Sequence, residues 1–217
     1  MKTKIVVGIY LLVALMACNK EPNEVKPVAK EPNYFPMTTG SYWIYNTYKI
    51  DSLKNEELIS ENDTTAVIGD TILNGNPYKV FYGKLYGAGG QKYFQFRRDS
   101  LGYIVDEYGT VVFSQSNFSD TLYSKVIPNR PDTSYYMYSM MQSATDEIIV
   151  PAGVFDSVLN YNLIFIYWTD PNKLTLTMDN LYSPNVGKIL KQYAYSGEFQ
   201  LKKSYYEERL TAYYITK

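Results

Sequence analysis

The sequence contains no histidine. That absence removes Ser-His-Asp and Cys-His catalysis, histidine general bases and the commonest zinc and copper sites. Only one cysteine is present, Cys18, so the chain can build neither an internal disulfide nor a thiolate metal cluster. A basic surplus is missing as well: 21 Lys and Arg stand against 22 Asp and Glu, which argues against nucleic acid as a partner. No apolar run is long enough to cross a bilayer. The uncharged stretch from Ile5 to Ala17 covers about 20 Å as a helix, against roughly 30 Å of hydrocarbon. Any enzyme built from this chain would have to work with carboxylates, Lys, Ser/Thr or Tyr.

What is abundant is aromatic: 24 Tyr, 9 Phe and 2 Trp in 217 residues. Tyrosine suits strands and half-wet surfaces, because its ring packs while its hydroxyl reaches water or a partner. Short alternating segments bounded by turn residues recur along the chain, and no long amphipathic helix competes with them. The expected fold is all-β, a single antiparallel barrel or strongly curved open sheet of about 11–13 strands.

Three parts are expected. Residues 1–17 begin with Lys2 and Lys4, continue through an apolar run and end in small residues, the order of a secretory signal. Leu15-Met16-Ala17-Cys18 resembles the bacterial lipobox, which implies that the Cys18 thiol carries diacylglycerol and becomes the first residue after cleavage. Removing residues 1–17 takes the net charge two units further below its formal −1. Residues 18–33 read as a tether punctuated by Pro22, Pro27 and Pro32, with Lys20-Glu21-Pro22-Asn23 recurring as Lys30-Glu31-Pro32-Asn33. Fully extended, Asn19 to Asn33 reach roughly 45 Å at about 3.1 Å per residue. Residues 34–217 form the β-rich domain, enough chain for one core.

Within the domain, Trp43 and Tyr45 open a strand over 42–50, and Trp43 is expected in the core where the tether joins. Leu53 to Ser60 is the best candidate for a helical turn. A strand over 65–73 ends at Asn74-Gly75, the strongest hairpin signal in the chain. Pro77 suggests that the next strand starts at a sheet edge. Gly87-Ala88-Gly89-Gly90 reads as a hairpin turn, Leu101 to Val105 and Thr110 to Ser114 as short strands around Asp106-Glu107-Tyr108-Gly109, and Thr121 to Ile127 as a strand stopped by Pro128. Three segments are apolar on both faces: Tyr135 to Met141, Leu159 to Trp168 and Tyr182 to Tyr195. A final strand runs from Phe199 to Ile215 around Glu207-Glu208-Arg209.

Candidate chemistry is thin. Asp106-Glu107 and Glu207-Glu208 are the paired acids, but neighbours along a strand point to opposite faces, and a solvated surface or turn role suits them better than glycoside hydrolysis. Asp156 stands near a turn. Glu61-Asn62-Asp63-Thr64 and Asp179-Asn180 offer clustered oxygens without the spacing of a calcium loop and read as loop residues. No catalytic residue, metal or cofactor is expected. A strand apolar on both faces must be covered by a second layer, a ligand or a partner, so Tyr135, Tyr138 and Trp168 form the candidate ligand surface.

Phe35-Pro36-Met37 with Gly40, Trp43 and Tyr45, then Val150-Pro151-Ala152-Gly153-Val154-Phe155, then Tyr182-Ser183-Pro184-Asn185-Val186-Gly187 resemble markers that recur in this order in uncharacterised β-rich lipoproteins of Bacteroidetes. Some of these are similar to the half-barrel of the lipoprotein-carrier proteins of the outer-membrane sorting system. The resemblance implies a fold and an address in the envelope and no catalytic residues. The expectation is an outer-membrane lipoprotein, partnered with the membrane through its lipid and presenting an aromatic β-surface to an apolar ligand, a glycan or an envelope protein. A His-free carboxylate hydrolase acting on polysaccharide and a lipid or lipoprotein carrier are the alternatives. A carrier would show an interior cavity lined by Tyr, Phe and Met in place of a filled core.

Overall fold

The computed structural model describes residues 31–84, 92–129, 133–143, 146–167, 175–193 and 204–217. Fifteen strands and no helix are found among them. They are β1 (Tyr42–Asp51), β2 (Glu56–Leu73), β3 (Asn76–Lys84), β4 (Lys92–Ser100), β5 (Tyr103–Val105), β6 (Val111–Ser114), β7 (Tyr123–Asn129), β8 (Thr133–Ser143), β9 (Ile148–Val150), β10 (Gly153–Phe155), β11 (Leu159–Tyr167), β12 (Thr175–Met178), β13 (Asn180–Ser183), β14 (Gly187–Tyr193) and β15 (Ser204–Tyr214). Thirteen make one antiparallel sheet in the order β6-β5-β4-β3-β2-β1-β15-β14-β13-β11-β8-β7, with β12 also paired to β11; β9 and β10 form a separate hairpin.

This order forces the sheet to curl. The outermost strands, β6 and β7, are joined by only residues 115–122, which reach at most roughly 30 Å when extended. Laid flat, twelve strands would hold those edges about 53 Å apart. The sheet therefore bends round until its inner faces meet: the Tyr161 hydroxyl on β11 donates to the Val111 carbonyl on β6 at 3.5 Å, and the Phe113 and Tyr182 rings lie 4.6 Å apart. The expected barrel or strongly curved sheet is the architecture found, a barrel nearly closed, with no ladder between β6 and β7.

Local sequence sets the bends. Asn62 sits at φ 58° inside β2, where pairing with β1 slips, and its N–H donates to Asn46 Oδ1 at 3.1 Å. An asparagine tolerates this left-handed geometry, and the bulge it makes increases the local twist. Asn74-Gly75 forms the β2–β3 hairpin with φ 49° and 78°, as the dipeptide demands.

Several expectations fail for identifiable reasons. Leu53 to Ser60 is not helical: Asp51 Oδ1 accepts from the Leu53 and Asn55 N–H groups to make a turn, and the chain then enters β2 at Glu56. Pro77 does not mark an edge, since β3 pairs with both β2 and β4; the proline is tolerated because β4 pairing begins only at Lys79. Leu101 belongs to a turn, at φ 57° before Gly102 at 85°, with the Gly102 N–H held by Asp99 Oδ1. The β7 strand runs through Pro128 to Asn129, which an edge strand allows. Glu61-Asn62-Asp63-Thr64 lies in β2 and not in a loop. β12 has no counterpart in the sequence reading.

The three sequence markers converge at one end of the barrel. Trp43 is 4% exposed and its Nε1 donates to the Val186 carbonyl at 2.6 Å. Asn185, at φ 60°, donates its N–H to the Asn33 carbonyl and accepts from the Asn33 N–H through Oδ1. Phe35 enters the interior against Phe81, Phe113 and Tyr182, with ring centroids 6.0, 5.6 and 5.7 Å away. Val150 and Phe155 of the β9–β10 hairpin join the same cluster as Ile189 and Leu210, and the Ala152 N–H donates to the Leu210 carbonyl. The markers are thus fold determinants that plug this end.

Candidate functional site

Above the plug the interior is not filled. A cavity of about 210 Å³ lies on the concave face, with Phe35, Pro36, Trp43 and Phe81 at its floor and Tyr45, Tyr93, Tyr161 and Tyr182 in its walls. Alternation along each strand delivers these side chains inward: Trp43 and Tyr45 from β1, Tyr93, Gln95 and Arg97 from β4, Tyr161 and Leu163 from β11. Lys188 and Lys191 both reach the cavity, although an odd spacing would normally separate their faces. The β13–β14 register slips between Leu181 and Tyr182 and restores them to one side.

The charged groups are arranged around one carboxylate. Glu208 lies behind the lining, 3.3 Å from Lys188 Nζ and 3.9 Å from Lys191 Nζ. Burial works to raise its carboxyl, but Lys191 and Lys188 outweigh that and hold it below the ordinary glutamate value. Burial pulls the Lys188 ammonium down from the ordinary lysine value, with Glu208 opposing. Lys188 also sits over the Tyr45 ring at 4.9 Å. Arg97 donates through Nη1 to the Phe96 carbonyl at 2.8 Å and stands 3.8 Å from Glu107. Burial pushes the phenols of Tyr45, Tyr93, Tyr161 and Tyr182 upward, so all four remain neutral donors at ordinary pH.

The paired acids are each held by neighbouring groups. Glu207 and Glu208 point to opposite faces as expected, yet neither is a solvated surface group: Glu207 is 7% exposed and joined to Arg209 and to Gln192 Nε2. Asp106 is a turn residue, its Oδ1 accepting from the Tyr108 and Thr110 N–H groups, and Asp156 is exposed. Asp179 lies between β12 and β13 and accepts from Asn160 Nδ2 at 2.7 Å, which binds strands together across the sheet.

The expected ligand surface is divided. Tyr135 faces inward with Met137 and Met141, its ring 5.8 Å from Phe165 and its phenol raised by burial. Tyr138 faces outward beside Tyr136, with the rings stacked at 5.7 Å. The two therefore share no surface, and Trp168 lies outside the described residues, as do Cys18, Gly87-Ala88-Gly89-Gly90 and the signal and most of the tether. The sequence reading missed the cavity itself and Arg97, Lys188 and Lys191 as one group. Alternation puts Tyr93, Gln95 and Arg97 on one face of a strand over 92–98 but does not say that this face is inward, nor that Lys188 and Lys191 meet it.

Comparison with known proteins finds no matching family model and no matching curated protein. The chain is similar to two solved structures, each aligned over 84% of this chain and 99% of its own. One is described as an exported protein with a YMCC-like fold from Bacteroides fragilis, at 14% identity and a TM-score of 0.44; the other as a lipoprotein from Parabacteroides distasonis, at 15% identity and a TM-score of 0.46.

Proposed function

We propose that this chain is an envelope lipoprotein held at the outer membrane through a lipid on Cys18, and that it works without catalysis, as a binding module whose ligand enters the concave interior of the sheet. The observation that carries this reading is the cavity of about 210 Å³ between the plug and the Arg97–Lys188–Lys191 wall, lined by aromatic rings and hydrogen-bonding groups. A concave, mostly apolar site with a few placed polar groups is the ordinary form of a small-molecule site. No carboxylate is among the lining residues, which favours binding over acid-base hydrolysis.

A carrier of lipids or lipoproteins is the second reading, favoured by the same open interior space. Its lining departs from a dry acyl tunnel, because three cations and no methionine line it.

The anchor and the cavity are tested together by native mass spectrometry of protein recovered from membranes. The expected species carries acylated Cys18 and a bound small molecule, and Cys18→Ser moves the protein to the soluble fraction. Gln95→Trp, placed to fill the cavity, removes the bound mass. A free thiol at Cys18 refutes the anchor, and a bound mass unaffected by Gln95→Trp refutes the cavity as the site.

A further inference from the structure

We infer that the cavity is a site for an organic anion, one carboxylate, phosphate or sulfate carried on an apolar body. The inference rests on the cavity being the binding site and goes on to assign the chemistry of what it holds. Three cations line the space: Arg97 from β4, and Lys188 and Lys191 from β14, strands separated by some ninety residues of chain and brought together only by the curl of the sheet. Among the described residues, two carboxylates stand within 4 Å of these three cations. Glu208 is one carboxylate shared between two ammonium groups, at 3.3 and 3.9 Å. Glu107, the partner of Arg97, stands at 3.8 Å, beyond hydrogen-bond length, on the β5–β6 turn.

Such an excess is costly to hold in a half-buried space. The side chains of Arg97 and Lys188 keep only 14% and 23% of their exposure, so water screens them poorly. An anion seated between them supplies the missing charge. It would accept from the guanidinium fork of Arg97 and from the two ammonium groups, with Gln95 and Asn180 as further donors in the same wall. The remainder of the ligand meets the opposite character. Phe35, Trp43 and Phe81 make the floor, and Val112 and Leu163 flank it, surfaces that reward an acyl or aryl body and give nothing to a bare inorganic ion.

The test is calorimetric titration of the lipid-free domain, Cys18→Ser without residues 1–17, with decanoate, decanol and inorganic phosphate, each below its aggregation concentration. Decanoate is expected to bind at least about tenfold more tightly than decanol or phosphate, the gain of one charge-assisted contact in a poorly screened site. Lys191→Met, the most exposed of the three cations, is expected to abolish that preference while leaving decanol binding as tight or tighter; Arg97→Gln does the same from the other wall. Equal binding of decanoate and decanol overturns the anion assignment and leaves the cavity reading standing. Phosphate binding as tightly as decanoate overturns the apolar body. A preference that survives both substitutions overturns the assignment to these residues, and binding of neither decanoate nor decanol overturns the cavity reading together with this one.

Discussion

Arg209 offers the sharpest test of how this sheet is held together. Its guanidinium donates through Nε to Glu207 and through both terminal nitrogens to Glu56, and its plane lies over the Tyr48 ring at 4.6 Å. Three strands, β15, β1 and β2, are tied by one side chain. The two carboxylates differ in environment: the Glu207 side chain is 9% exposed and Glu56 46%. Replacing Arg209 by Met keeps the stem and removes the charge. Glu56 then returns to water at a cost below about 1 kcal/mol, as exposed pairs do. Glu207 stays buried with a single donor, Gln192 Nε2 at 3.0 Å. Breaking a buried pair costs about 3–5 kcal/mol; that remaining donor and the 21% exposure of Arg209 put the expected loss near 3 kcal/mol. In a domain of this size that lowers Tm by roughly 6–12 °C. The assay is urea unfolding followed by tryptophan fluorescence, run on R209M, E207Q, E56Q and R209M/E207Q. Neutralising Glu207 in the R209M background should recover about 1 kcal/mol or more. A variant R209M within about 0.5 kcal/mol of the parent, or a double variant less stable than R209M, would refute the argument.

Four further outcomes follow from the plug and the titrating groups. Gly187→Ala should cost about 2 kcal/mol or more, because φ is +95° and a Cβ would meet Pro36 Cδ at 3.1 Å and Trp43 Nε1 at 3.3 Å, whereas Gly75→Ala, at φ +78° in open space, pays only the backbone term of about 1 kcal/mol; thermal unfolding of the pair separates the two effects. Trp43→Phe loses both packing and the 2.6 Å bond to the Val186 carbonyl and should cost about 2–3 kcal/mol, with chemical denaturation read by far-ultraviolet dichroism. Tyr45, Tyr93, Tyr161 and Tyr182 have raised folded values, so the stability they contribute is complete below pH 10 and is lost as pH climbs above it; a phenolate absorbance titration should show these groups ionising only together with unfolding. At the acid end, Glu56 and Glu208 have lowered folded values, so their contribution is present above about pH 4.5 and disappears as pH falls through those values, which an acid unfolding curve with and without E56Q will show.

Much of the fold was legible because strands announce themselves by alternation and turns by residues that accept positive φ. Asn74-Gly75 was readable on that basis, and so was Trp43 as a core residue, because an apolar ring in an alternating strand beside a proline-glycine turn has few other places to go. Leu101-Gly102 was not readable: a leucine at φ 57° contradicts its own preference and is held there by Asp99 and the Gly102 turn. The cavity was hidden for a different reason. Period two tells that the faces of a strand differ but not which one is inside, and a hollow barrel keeps polar groups on both. Lys188 and Lys191 therefore carried no signal of their own, and Glu207 read as a surface acid; the curl of the sheet and the register slip between Leu181 and Tyr182 bring the two lysines to the cavity.

The unladdered boundary between β6 and β7 has a mechanical consequence. Every neighbouring pair along the main path is stitched by backbone bonds, whereas across this line the described residues show no ladder and the chain joins the two strands through residues 115–122. Spreading that line breaks no ladder among the described residues, so amides on the free rims should exchange hydrogen fastest and those of β1 and β15, farthest from it, slowest.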